Sequence, residues 1–189
     1  MRKKPKLLKG AKRVFHGSIF DVYHWPQKVY DGTVHTFEML ARADTVSIIA
    51  VTKDKRILVQ RQSQPHYRRS FLSLPGGRVD DGESPHRAAK RELLEETGYS
   101  ASRWTLWKSA RHVSKIDWDI HTFIAYGCKK IQKPTLDAGE RIHSFEVSFQ
   151  RFIDLMIHKD FGGRDLTIEI LRAKADPRKM RRLKKLLFG

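Results

Sequence analysis

The sequence predicts an α+β fold: a mixed β-sheet core with flanking helices, preceded by an N-terminal antiparallel β region. Three observations carry this expectation. Runs of β-branched and aromatic residues fill the first half of the 189-residue chain, one sharply delimited helix sits mid-chain, and helical stretches gather at the end. Elements in that order pack as layers and do not form a simple alternation of strand and helix.

Residues 14–30 include Phe15, Ile19, Phe20, Val22, Tyr23, Val29 and Tyr30. They read as strand, interrupted near Pro26 because proline cannot donate to a ladder. Asp31-Gly32 is a hairpin-turn signal, and 33–40 is its return strand. The run TVSIIAVT at 45–52 reads as a buried strand, and Lys53-Asp54-Lys55 turns the chain into another at 57–60. Residues 71–74 form a short strand ended by Pro75 and Gly76-Gly77. Ser84 then has the chemistry of an N-cap and Pro85 suits the first helical position. That helix reaches about Thr97, with Gly98 just past its end. Two β segments follow at 104–113 and 120–126, then helices at 149–158 and 165–175. Asp176-Pro177 restarts a last short helix. Its Met180, Leu183 and Leu187 form a narrow apolar stripe that docks either on the body or on a partner. The expected division is a basic tail (1–13), an N-terminal β region (14–42), a main domain (43–175) and a basic C-terminal helix (176–189).

Composition narrows the classes. With 40% hydrophobic residues the chain can build a core without staples, and its single cysteine, Cys128, can make neither an internal disulfide nor a cysteine metal site. One cysteine suits a reducing, cytoplasmic setting. No stretch approaches the ~20 apolar residues of a membrane span. The net charge of +17 is concentrated at the ends: residues 1–13 hold seven Lys/Arg and no acid, and residues 172–189 hold eight against Asp176 alone. Such ends attract RNA or another polyanion, or simply solvate the termini.

The chemically informative stretch is GRVDDGESPHRAAKRELLEETGY at 77–99. Glu92, Glu95 and Glu96 lie at i, i+3 and i+4, so a helix turns all three to one side. Crowded like charges raise one another's pKa, and a hard divalent cation resolves that repulsion. Bound there, Mg²⁺ neutralises phosphate charge and lowers the pKa of a water. Taken alone, KRELLEETG is more often solvated helix surface. The longer pattern decides the matter. The stretch resembles the Nudix box, in which Gly, five residues, Glu and seven residues precede Arg-Glu-apolar-any-Glu-Glu-any-Gly-apolar. Gly77, Glu83, Arg91, Glu92, Leu93, Glu95, Glu96, Gly98 and Tyr99 fill its nine places. From average residue frequencies, a chance match is roughly 10⁻⁹ to 10⁻¹⁰ per starting position.

The resemblance implies an α/β/α sandwich and hydrolysis of a nucleoside diphosphate linked to another moiety. It implies that Glu92, Glu95 and Glu96 hold Mg²⁺, with Mn²⁺ a possible substitute, and that the Gly76 carbonyl completes the shell. Arg91 would brace the acids, Glu83 would support them, and Gly77 and Gly98 would serve the corners of the loop and helix. Within the family the chain looks most like the ADP-ribose and nucleoside-diphosphate-sugar group, whose N-terminal β region forms a homodimer and part of the base pocket. It departs from that group at Ser63, at Ser73 and at Val113-Ser114-Lys115, which bears on the sugar more than on the reaction. The group's acidic loop residue points to Asp137 or, preferably, Glu140 as catalytic base. Arg61 and Arg69 are the cationic substrate candidates. Phe37 and Trp118 are chosen from the aromatics that also include Phe20, Tyr23 and Trp25, any of which could instead be core. Two other readings of the same residues are an RNA 5′-end pyrophosphohydrolase steered by basic tails and a non-catalytic nucleotide-binding module.

Overall fold

A computed structural model of the protein describes residues 10–111 and 113–189. Two sheets organise it. The small one has the order β1 (Lys12–His16), β2 (Asp21–Lys28), β3 (Val34–Ala41), β9 (Ile116–Asp117). The large one runs β11 (Arg141–Val147), β5 (Ile57–Ser63), β4 (Thr45–Thr52), β10 (Asp119–Lys130), β7 (Tyr99–Ser100). On it, β6 (Phe71–Ser73) pairs with β5 and β8 (Arg103–Arg111) pairs with β10. The β4–β10 pairing is parallel and the other pairings of this sheet are antiparallel, so the sheet is mixed as expected.

The alternation along β4 explains its uninterrupted apolar run. Ile49 and Val51 face one layer, with Ile57, Val59, Ile124 and the helices α2 (Phe149–Met156), α3 (Arg164–Lys174) and α4 (Pro177–Phe188). Val46, Ile48 and Ala50 face the other, with Leu58, Phe123 and Ala88, Ala89 and Leu93 of α1 (Pro85–Thr97). A strand covered on both faces has no place for polar alternation. The α/β/α layering of the Nudix type follows. In α4, Leu183 and Leu187 are buried with the α2–α3 layer and Met180 packs against them, so the stripe docks on the body. Among the described residues no helix is long and apolar enough to cross a membrane.

The N-terminal region corrects three expectations. Residues 14–30 are not one strand but two, folded back at Gly17, whose N–H donates to the Phe20 carbonyl at 2.9 Å. Pro26 does not interrupt β2. It pairs with Thr36 of β3, whereas β1 covers only Asp21 to His24 on the other side, and that open edge tolerates a residue without an N–H. Lys12 and Arg13 belong to β1, not to a tail, and Arg13 bonds Asp21 at 3.4 Å. The rest of the expected tail, residues 1–9, lies outside the described residues.

The mid-chain helix matches its sequence signals. Ser84 Oγ accepts from the Arg87 N–H at 3.3 Å, and Gly98 ends the helix at φ +74°. The Gly98 carbonyl accepts from Ile131 and Gln132, and a Cβ on Gly98 would lie 2.1 Å from the Gln132 carbonyl oxygen. Gly98→Ala therefore meets left-handed backbone strain and a backbone clash together. It is expected to cost on the order of 2–4 kcal/mol, or about 5–10 °C of melting temperature by calorimetry.

Candidate active site

The site begins where two strands part. β4 and β5 pair only at Val51 and Ile57. Beyond that point the β4 N–H groups of Ile48 and Val46 donate instead to the Pro75 and Gly77 carbonyls, at 2.8 and 2.9 Å. The loop before α1 is thereby sewn to the sheet. The carboxylates of α1 sit against that loop, while Ala88, Ala89 and Leu93 anchor the helix in the core.

Glu96 is the most deeply held, only 4% exposed. Its Oε2 accepts from the Gly76 N–H at 2.8 Å and from Gln60 Nε2 at 3.2 Å. Burial pushes its carboxyl up to about 8, and the nearby charges of Glu92 and Glu140 push the same way, against those two hydrogen bonds. Glu92 is also raised, first by burial and then by Glu95 and Glu140, with Arg91 opposing. Gly77 makes room for it, since a Cβ there would lie 2.5 Å from Glu92 Oε1.

Arg91 gathers the acids. Its Nη1 donates to Glu92 Oε1 at 2.8 Å and Glu95 Oε2 at 3.0 Å. Its Nε and Nη2 reach Glu83 at 3.3 and 3.1 Å, and Nη2 also donates to the Arg78 carbonyl at 2.8 Å. Burial pulls this guanidinium's pKa down, but Glu83, Glu92 and Glu95 more than offset it and hold it above its ordinary value. Among the described residues no three acidic, histidine or cysteine groups converge closely enough, as they stand, to hold a metal ion. The donor chemistry nonetheless suits a hard divalent ion. Glu92 Oε2, Glu95 Oε1 and Glu96 Oε1 stay outside the bonds just described; Glu96 is buried and Glu92 half-buried, and desolvation makes both harder to ionise.

The other candidates are dispersed. Glu140 is close enough to act electrostatically on Glu92 and Glu96, and its N–H donates to the Asp137 carbonyl at 2.9 Å in a tight turn. Arg61 alternates with Gln60 along β5 and so projects from the sheet face opposite the acids, where it bonds Ser70 Oγ at 3.4 Å. Arg69 is exposed in the 64–70 loop. Phe37 lies beside Trp25 on the small sheet, with Lys115 Nζ 5.0 Å from its ring centre. Trp118 lies between β9 and β10, its indole N–H donating to Thr45 Oγ1 at 3.0 Å.

Two site residues escape the reading of the sequence. Gln60, wholly buried, follows the apolar run of β5 and holds Glu96; an amide directly continuing an apolar run is the available signal. Arg42 stacks 4.7 Å over Trp118, with its Nε buried and unbonded among the described residues. Burial and then neighbouring Arg78 lower its pKa. Nothing in the spacing around residue 42 marks it.

A mixed sheet between helical layers, with acids on a loop-bound helix, defines a class, and comparison with known proteins gives the same one. The NUDIX domain model matches residues 41–165, and the chain belongs to the Nudix family as a Nudix hydrolase. It is similar to the ADP-ribose pyrophosphatase of Bacillus subtilis (strain 168), 27% identical over 150 residues that cover 77% of this chain and 80% of that one. It is also similar to the ADP-ribose pyrophosphatase of Saccharomyces cerevisiae, 28% identical over 76% of this chain and 67% of that one. The methanol dehydrogenase activator of Bacillus methanolicus is 25% identical over 79% of this chain and 82% of its own. A crystal structure of an ADP compounds hydrolase superposes with a TM-score of 0.72 over 93% of this chain and 95% of that one, at 20% identity. That likeness supports the α+β Nudix-type fold.

Proposed function

We propose that this Nudix hydrolase uses Mg²⁺ to split ADP-ribose or a related nucleotide sugar into a nucleoside monophosphate and a sugar phosphate. The observation that carries the reading is Glu96: a buried carboxyl, fixed at one oxygen by Gly76 and Gln60, beside the charges of Glu92 and Glu140. The names of its ADP-ribose pyrophosphatase relatives favour this substrate class.

Glu92, Glu95, Glu96 and the Gly76 carbonyl would hold the ion, with Mn²⁺ a substitute. When bound, it supplies charge neutralisation for the diphosphate and a water of lowered pKa. The chain's residues do the rest. Arg91 and Glu83 keep the carboxylates converged, Gly77 leaves the space that Glu92 fills, and Gly98 fixes the end of the helix. Glu140 takes a proton from water as its oxygen adds to one phosphorus; the P–O–P bridge breaks and two phosphate monoesters leave. Phe37 and Trp118, the latter backed by Arg42, offer aromatic faces to the base. Arg61, on the sheet face opposite the acids, and Arg69, exposed on the 64–70 loop, would meet only an outlying part of the substrate. The chain acts in the cytoplasm, where its one buried cysteine stays a thiol. It acts as a homodimer through the N-terminal β region, where Val14, Phe15, Ile19 and Val34 are more than half exposed.

The test is turnover of a panel with Mg²⁺: ADP-ribose, GDP-mannose, NADH, dinucleoside polyphosphates and capped RNA. ADP-ribose giving AMP and ribose phosphate is the expected result. Faster turnover of capped RNA than of every nucleotide sugar would replace the proposed substrate class with the RNA 5′-end reading. Gln60→Leu should weaken the apparent Mg²⁺ affinity by about 10–100-fold, because it removes a bond that orients Glu96. Titrating turnover against Mg²⁺ checks this, with turnover at saturating metal falling far less.

A further inference from the structure

On the sheet face opposite α1, a cavity of about 550 Å³ opens between β8, α3 and α4. Trp107, Ala173, Leu183 and Leu186 form its apolar wall, and Arg172, Lys179 and Arg182 supply its cations. Its one acid, Glu169, is neutralised by Lys108 at 3.1 Å and Arg172 at 3.3 Å, so the lining stays net positive. That volume suits a ligand of nucleotide size.

The wall is built by an irregularity. Lys108 pairs with Thr122 and Leu106 with Phe123, so Trp107 is an extra residue in the β8–β10 ladder. In a regular strand, neighbouring side chains point to opposite faces. The bulge lets Trp107 pack against the α3–α4 layer while the next residue, Lys108, also reaches α3. Bulges re-aim side chains in this way beside functional sites.

The adjoining helix is equally unusual. α4 carries Arg178, Lys179, Arg181, Arg182, Lys184 and Lys185 and no acid within its bounds, all six exposed. Like charges at i, i+3 and i+4 disfavour such a helix. Burial of Leu183 and Leu187 holds it in place nevertheless. The result is a track of fixed positive charge about 18 Å long beside an aromatic-walled cavity.

We propose that this cavity and the outer face of α4 bind single-stranded nucleic acid. An unpaired base enters against Trp107, and the flanking phosphates lie on Lys179, Arg182 and the neighbouring α4 cations. Aromatic faces for bases beside a cationic track for the backbone are the two parts such binding requires. An anionic membrane is the poorer occupant, because the apolar stripe that α4 would insert is already buried in the core. Duplexes keep their base faces stacked away from Trp107.

The test uses the full chain and a fluorescein-labelled 12-nucleotide oligouridylate or oligothymidylate, read by anisotropy against salt. Lys179→Glu with Arg182→Glu should weaken binding at least about 10-fold and reduce the salt slope by about two. Turnover of the nucleotide substrate should not change. Oligonucleotide should also quench a tryptophan emission component that Trp107→Phe removes. Equal affinity of the charge-reversed and parent proteins would overturn the proposal, as would quenching that survives Trp107→Phe. So would tighter binding to phosphatidylserine vesicles or to a 12-base-pair duplex, or a loss of binding seen only on deleting residues 1–9.

Discussion

Glu96→Gln is expected to reduce turnover by at least about 10³-fold while leaving the fold intact. The amide keeps an oxygen that can accept from the Gly76 N–H and Gln60 Nε2, the two donors that now meet at Glu96 Oε2. What it loses is charge. The same change separates the electrostatic cost of Glu96 from its function. Burial holds the folded carboxyl at about 8 against an ordinary value of 4.5, so between those values the folded protein holds a proton that the unfolded chain has released. The stability contribution of the protonated form is therefore fully present below about pH 4.5 and is lost as pH rises through about 8. Without metal, the parent should be less stable at pH 8 than at pH 5.5, by on the order of a few kcal/mol, and so melt at a lower temperature, and Glu96→Gln should show a flatter profile. Mg²⁺ held by Glu96 as proposed would favour the ionised form, so its stabilisation of the parent should grow with pH. Equal turnover by mutant and parent would remove Glu96 from the chemistry. A pH-independent melting temperature in the metal-free parent would remove its electrostatic cost.

Arg91→Ala comes second in expected effect. Among the described residues this guanidinium alone joins Glu83, Glu92 and Glu95, and it ties them to the Arg78 carbonyl. Its removal leaves three carboxylates facing one another, two of them only 13% exposed at the side chain. The expected cost is about 2–3 kcal/mol of stability, below the 3–5 kcal/mol of a fully buried pair because Glu95 and Arg91 itself are partly solvated. Turnover should fall by about 10²-fold through loss of convergence. Arg91→Lys keeps the charge but not the fork that bonds two sides at once. It should recover most of the stability and little of the turnover. Full recovery of both would reduce Arg91 to a point charge.

Legibility of the fold in the sequence followed the strength of local signals. Ser84, Pro85 and Gly98 each do one steric or hydrogen-bonding job that few other residues do, so the bounds of α1 could be read directly. The run at 45–52 announced its burial because both its faces are covered. The hairpin at Gly17 has a weak local signal because Gly-Ser interrupts an aromatic stretch only briefly, and Pro26 carries a false break signal because an open sheet edge is a tertiary fact. β9 is two residues long and exists through its parallel pairing with Leu40 and Ala41. In the site, residues carried by helix spacing were visible. Gln60, Arg42 and the direction of Arg61 depend on how β5 and the small sheet meet distant elements, which no local window contains.

The parallel pairing of β4 with β10 has a kinetic consequence. Thr45 meets Ile120 and Thr52 meets Cys128, so the centre of the sheet closes only after some 75 intervening residues, the acidic loop and helix among them, have been drawn into a ring. Closures of that length favour slow folding, on the millisecond-to-second scale. α1 can form early from its own caps, yet it has no sheet to lean on until the ring shuts. Recovery of the proposed Mg²⁺ binding on refolding should therefore lag behind the first rise in helical signal.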